Sequence, residues 1–264
     1  MKRTALFFAL FAATVTAHAQ DGASLGVGVD YSSGDYGSDT TTEILSVPVT
    51  AKLVSGNWTY KASLPWMRVS GDPNVLPGLG TVNNTNPRGR GRGNGNGGTP
   101  DPEESGTASG IGDLRLAATY SFDTGGPLGV DLTANAKIAT ADEDKGLGTG
   151  ANDYGLALDL YRDFGGTLLF GGVGYTELGD SDYISVDSVT NANLGASWKV
   201  GGGSLGAMYD WRQAAADDYD DRSELTGFYA FSSGASSKFQ VYASTGLSDG
   251  SPDLGGGVNY TFGF

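Results

Sequence analysis

The chain runs to 264 residues with 44 glycines, 11% aromatic residues, no cysteine and a net charge of −14. Such an acidic chain is a poor partner for nucleic acid, whose phosphates are bound by Lys and Arg, and without cysteine it has neither a disulfide framework nor thiolate chemistry. The length suits one domain or one barrel, and the glycine and aromatic content suits turns and strands better than helices.

The N-terminus reads "MKRTALFFALFAATVTAHAQ". Basic Lys2 and Arg3, an apolar run from Ala5 to Val15 and the small-x-small Ala17-His18-Ala19 predict a signal peptide over residues 1–19 with cleavage before Gln20. The run is shorter than the ~20 residues a spanning helix needs. No later segment is apolar for that long.

From there to the C-terminus the sequence repeats one pattern, apolar and polar residues at alternate positions, which is the period of a strand. "ASLGVGVDY" centres the first near Val27, "LSVPVTAKL" the second near Val47, and "SLPWMRVSG" ends the third, centred near Ala62. In "DLRLAATYSF" Leu114, Leu116, Ala118, Tyr120 and Phe122 oppose Asp113, Arg115, Ala117, Thr119 and Ser121. "LGVDLTANAKI" sets Leu128, Val130 and Leu132 against Asp131, Thr133, Asn135 and Lys137. Further segments centre near Leu158, Val173, Leu194, Ala207, Gly227 and Val241, the one at Val173 carrying apolar residues on both faces. The closing "VNYTFGF" places Val258, Tyr260, Phe262 and Phe264 on one face.

These segments have about the length, ~9–11 residues, that a tilted strand needs to cross a bilayer. An even set of strands with one apolar and one polar face predicts an all-β fold, a transmembrane antiparallel up-and-down β-barrel of twelve strands over residues 20–264 with lipid outside and a polar lumen. A soluble sandwich would have to bury faces whose opposite sides carry Lys52, Lys61, Asp113, Arg115 and Asp131. The connections alternate between long acidic stretches and tight turns such as "VSGN", "DTGGP" and "VGGG", matching long extracellular loops and short periplasmic turns. Trp58, Phe122, Trp198 and Phe264 fall toward the turn ends and Tyr31, Trp66, Tyr154 and Tyr175 toward the loop ends, as aromatic girdles do.

"SGIGDLRLAATYSF", "LSVPVTAKL" and "SLPWMRVSG" together resemble the outer-membrane channel family named after the meta-pathway of phenol degradation, a transporter-like β-barrel. The resemblance implies a barrel that passes small, often hydrophobic, compounds. The terminal "NYTFGF" looks like the aromatic signal read by the barrel-assembly machinery.

Histidine, the usual base of barrel enzymes, occurs only as His18 inside the predicted signal peptide, so an enzyme is not expected. No cofactor is expected either. Inward-pointing Asp30, Lys52, Lys61, Asp113, Arg115, Asp131, Lys137, Asp159, Asp210 and Arg212 are candidates to line a channel, with Asp153 and Lys199 on the same face. The loop over residues 71–108 contains "NPRGRGRGNGNGGTPDPEE", whose Arg88, Arg90 and Arg92 are candidates to gate the mouth or to contact lipopolysaccharide; its Gly, Asn and Pro content also fits disorder. "ADDYDDRSE" gathers carboxylates without the spacing of a calcium loop, and no metal site is expected. No segment before the first strand is long enough to act as an N-terminal plug. The expected function is passive uptake of small solutes across the outer membrane of a Gram-negative bacterium; the alternative is a surface-exposed structural or interaction protein anchored by its barrel. Expected partners are outer-membrane lipids, lipopolysaccharide, the assembly machinery and a small-molecule solute.

Overall fold

The computed structural model describes residues 21–91 and 105–264. The predicted signal peptide and Arg92 lie outside them. The wall strands are β1 (Gly22–Gly34), β2 (Thr42–Ser55), β3 (Trp58–Gly71), β6 (Gly106–Ile111), β7 (Leu114–Phe122), β8 (Leu128–Ile138), β9 (Asp153–Asp163), β10 (Thr167–Glu177), β11 (Val189–Val200), β12 (Gly203–Arg212), β13 (Arg222–Ser232), β14 (Ser237–Gly246) and β15 (Leu254–Gly263), and a short hairpin of β4 (Val75–Leu76) and β5 (Gly80–Thr81) lies in the loop after β3. Each wall strand pairs antiparallel with the next, β6 and β7 together form the fourth, and β15 returns to β1. The result is a closed antiparallel barrel of twelve strands.

The apolar face points outward. On β1, Leu25, Val27, Val29 and Tyr31 are 50%, 48%, 44% and 41% exposed, whereas Thr119, Asp131 and Thr133 are sealed inside. That arrangement excludes a soluble sandwich, since it presents apolar side chains where only lipid can cover them. At the seam the Phe264 N–H donates to Ala23 O at 2.9 Å, and Phe264 packs edge-on against Phe262. At the turn ends Trp58, Tyr120 and Phe122 form a chain of ring contacts 5.0 and 4.9 Å apart, and Phe231 meets Phe239.

Many of the glycines serve the inner wall. Gly129, Gly195, Gly206 and Gly257 stand directly across the ladder from Tyr161, Phe170, Phe228 and Tyr242, and a methyl group at any of them would run into the facing ring. The inward aromatics therefore lie flat along the wall. This also resolves the doubly apolar β10, where Leu168 and Phe170 turn inward while Leu169, Val173 and Tyr175 turn to lipid.

One part of the wall is irregular. Between β1 and β2 the ladder is interrupted opposite Gly28–Val29 and Val47–Pro48, and Pro48 faces Pro65 across the next pair, so neither nitrogen can donate there. Beyond Pro65, the register of β3 shifts by one residue between its pairing with β7 and its pairing with β6. The extra residue makes a bulge at Gly112, whose N–H donates to Pro65 O at 2.8 Å. A bulge exchanges the two faces of a strand. Thus Ile111 is exposed to the outside while Asp113, two residues on, is buried inside.

Candidate functional site

The loop expected to be low in complexity is structured through its first half. Residues 72–91 fold back into the barrel mouth, where Leu76, Leu79 and Val82 cluster with Ile184, Val189 and Ala215. The hairpin of β4 and β5 carries Pro77–Gly78–Leu79 at its tip, and glycine supplies the left-handed backbone that the turn needs at Gly78 (φ 79°). Arg212, at the loop end of β12, reaches across and donates to the carbonyls of both Gly78 and Leu79. Neighbouring loops hold the segment from the outside. Thr81 Oγ1 donates to Tyr36 O at 2.7 Å, and the Thr85 N–H donates to Tyr183 O at 2.9 Å.

The arginine-glycine run is divided by its surroundings. Arg90 is buried and donates to Gly146 O and Val75 O, each at 3.0 Å, and to Asp72 O. Burial pushes its guanidinium down to about 10, still far enough up to keep the charge at neutral pH. Arg90 thus faces into the loop, with its terminal nitrogens on backbone carbonyls. Arg88 does face outward and pairs with Asp144 at 3.2 Å. Asn86 Nδ2 and Arg88 hold the Asp144 carboxyl below the usual carboxylate range.

Among the described residues, two cavities of about 110 and 140 Å³ lie in the lumen beneath the hairpin. The first lies against β2, β3, β7, β8 and β9 and is bordered by Lys61, Asp113, Arg115, Lys137 and Asp153. The second lies against β1 and β12 to β15 and is bordered by Asp210, Arg222, Glu224 and Tyr242. Asp30, Arg115, Arg212, Pro77 and Gly78 border both.

Most interior charges are committed. Lys137 Nζ stands 2.9 Å from Asp153 and 3.8 Å from Asp113. Asp113 Oδ1 also accepts the N–H groups of Thr140 and Ala141 at 3.1 and 3.0 Å, a position the Gly112 bulge gives it. Tyr242 donates to Asp30 at 2.6 Å, and Arg222 pairs with Glu224. Nearer the turn ends Asp131 stands directly opposite Asp159, and Tyr161 donates to Asp131 at 3.3 Å. Lys52 stands directly opposite Lys61. Lys199 is exposed at the turn-end rim, away from both cavities.

In the acidic loop after β12, Asp221 accepts Trp211 Nε1 at 3.1 Å and the Ala214 N–H at 2.8 Å, so it braces the loop. Among the described residues no three acidic or imidazole side chains come together in a way that could hold a metal ion. Sequence reasoning missed Arg222, Glu224 and Tyr242 as interior polar groups. The alternation of β13 and β14 carries all three, and placing them needed only the same inward parity as Asp210.

The barrel superposes on solved outer-membrane proteins. An outer-membrane channel from Pseudomonas putida F1 matches with a TM-score of 0.70 at 17% identity, covering 94% of this chain and 97% of that one. The fold is that of an outer-membrane barrel. A mutant of the monoaromatic hydrocarbon channel TodX matches at 0.52 with 14% identity, covering 93% of this chain and 91% of that one. The translocator domain of the autotransporter NalP from Neisseria meningitidis also matches at 0.52 with 14% identity, over 94% and 90% of the two chains. No family model and no curated protein matches the sequence. At these identities the likeness is one of fold, and two of these barrels are channels while the third is a translocator domain.

Proposed function

We propose that the chain is exported by its N-terminal signal and serves as an outer-membrane channel for passive uptake of small, hydrophobic or aromatic molecules, with residues 72–91 as its gate. The interior charges, Lys61, Arg115, Lys137 and Asp30 among them, line the path, and the long acidic loops face outside the cell. The observation that carries this reading is the pair of cavities on either side of the hairpin tip, which meet at Arg115 and Arg212 inside a closed wall. The hairpin tip between these cavities is held on the wall by Arg212, which donates to the carbonyls of Gly78 and Leu79. Twelve strands enclose more than the eight whose side chains nearly fill a barrel and less than the sixteen of an open porin, so the expected path is narrow and of small conductance.

A test is to replace residues 73–91 with a short Gly/Ser linker and compare single-channel conductance and solute-driven liposome swelling with the intact protein. Faster swelling and larger conductance from a folded, heat-modifiable barrel are expected. The competing reading, a barrel that only anchors acidic surface loops, draws on the filled mouth; it is preferred if both forms are impermeable.

A further inference from the structure

We propose that the lumen holds a binding site for small monocarboxylates of about one aromatic ring, with the carboxylate on Arg115 beside Lys61 and the apolar body against Pro65, Leu76 and Pro77. This deepens the channel reading and rests on it for its role in transport, though binding itself does not require flux.

The first support is a cation with nothing to hold. Of the four cationic side chains bordering the first cavity, Lys137 is engaged by Asp153 and Asp113, and Arg212 by the hairpin carbonyls. Arg115 borders both cavities, yet among the described residues it makes no hydrogen bond and no ion pair. Its charged neighbours Asp113 and Asp153 are already occupied by Lys137 and by the backbone N–H groups of Thr140, Ala141 and Gly179. A guanidinium inside a protein is costly unless its donors are met. Its planar fork fits a carboxylate in bidentate fashion.

The second support is the charge around it. Lys61 faces Lys52 directly on β2 and β3, and Arg115 follows on β7 across from Ser63. Like charges directly opposite on paired strands repel, and Lys61, Arg115, Lys137 and Arg212 outnumber Asp30, Asp113 and Asp153 by one around the first cavity. An anion relieves that repulsion and a cation adds to it.

The third is shape. Pro48, Pro65, Leu76, Pro77 and Leu79 give the first cavity apolar lining beside its cations. Its volume of about 110 Å³, and 140 Å³ for its neighbour, is close to the ~150 Å³ of an apolar cavity that accepts benzene.

The experiment is equilibrium binding to the detergent-solubilised full protein by titration calorimetry, with benzoate, benzyl alcohol and benzylamine as probes of one shape and different charge. Benzoate is expected to bind about tenfold tighter than benzyl alcohol, the cost of losing a charge-assisted fork, and benzylamine not to bind. Arg115→Gln should abolish the preference, Arg115→Lys retain part of it, and Lys61→Met weaken benzoate alone; binding should also weaken from about 0.05 to about 0.5 M salt. Heat-modifiable mobility checks each variant, and if Arg115→Gln does not fold, Lys61→Met carries the comparison. The proposal is overturned if the intact protein binds benzoate no better than benzyl alcohol, or if the folded variants keep the preference. Liposome flux separates the two readings. Passage of benzyl alcohol without any benzoate preference in binding leaves the channel and removes the site, while benzoate binding without flux of either probe leaves the site and removes the channel.

Discussion

The barrel has two kinds of wall. From β9 round to β15 every strand pairs with the next in one unbroken register, with rings laid over glycines on the inside. From β1 to β7 the ladder is broken at one height by Gly28, Pro48, Pro65 and Gly112. The regular wall encloses. The irregular wall carries Lys52, Lys61 and Arg115 and gives rise to the loop that fills the mouth. Regularity thus goes with closure and irregularity with the cationic side chains and the loop in the mouth, because a departure from the ladder re-aims side chains that a perfect strand would hold in alternation.

The largest effect should come from the regular wall. Gly206→Val sets a branched side chain under the Phe228 ring and against the Ala196 carbonyl, and overpacking of this kind costs about 1–3 kcal/mol. A reduced yield of heat-modifiable barrel is expected, whereas Gly227→Ala, with open space around it, should fold normally. Equal yields would mean that the ring-over-glycine pairs do not stabilise the wall.

Next in size is the clamp. Arg212→Met leaves the carbonyls of Gly78 and Leu79 without their donor, but both border the cavities, where water can replace it, so the net loss is about 1 kcal/mol. Residues 72–91 should become open to protease in intact liposomes and conductance should rise. An unchanged digestion pattern would show that the apolar cluster of Leu76, Leu79 and Val82 holds the hairpin without the arginine.

A smaller difference concerns the ladder itself. In hydrogen exchange, amides of Val29, Val49 and Met67 near the broken ladder are expected to exchange faster than those of Ala207 and Leu225 at comparable height, since local opening follows missing backbone pairs. Uniform protection round the barrel would erase the distinction between the walls.

The smallest effect is a pH dependence at the outer tie. The carboxyl of Asp144 sits below its ordinary value of 3.8, so its contribution is fully present above that value and is lost as pH falls through the lowered one. Protection of residues 72–91 should persist from neutral pH down to the ordinary aspartate range and weaken only below it. Asp144→Asn should remove this acid limb. A loss beginning near pH 6 would assign the acid sensitivity to some other group.

Strand number, facing and closure were legible in the sequence because lipid outside and polar groups inside impose a strict period of two on every crossing. The inward direction of Asp30, Arg115, Lys137 and Arg212 followed from that period alone. The segment in the mouth was less legible, since residues 72–91 have the composition of a disordered loop and owe their order to contacts far along the chain, Tyr36, Asp144, Tyr183 and Arg212 among them. Which arginine faced out was likewise undecidable from "RGRGR", where only the surrounding carbonyls distinguish Arg90 from Arg88. The bulge at Gly112 was hidden too, because "SGIGDLRL" reads as one continuous alternation.

That bulge has a consequence for how the wall tolerates change. It divides the fourth strand into two phases, so the short stretch 106–111 is offset by one from everything that follows. Deleting Gly112 would remove that extra residue, so that outward Thr107, Ser109 and Ile111 and inward Asp113 and Arg115 fall into one alternation with every side chain on the face it already has. The fourth strand can therefore lose one residue at this point without turning a side chain over, whereas the same loss inside the regular wall would send the apolar face of half a strand into the lumen.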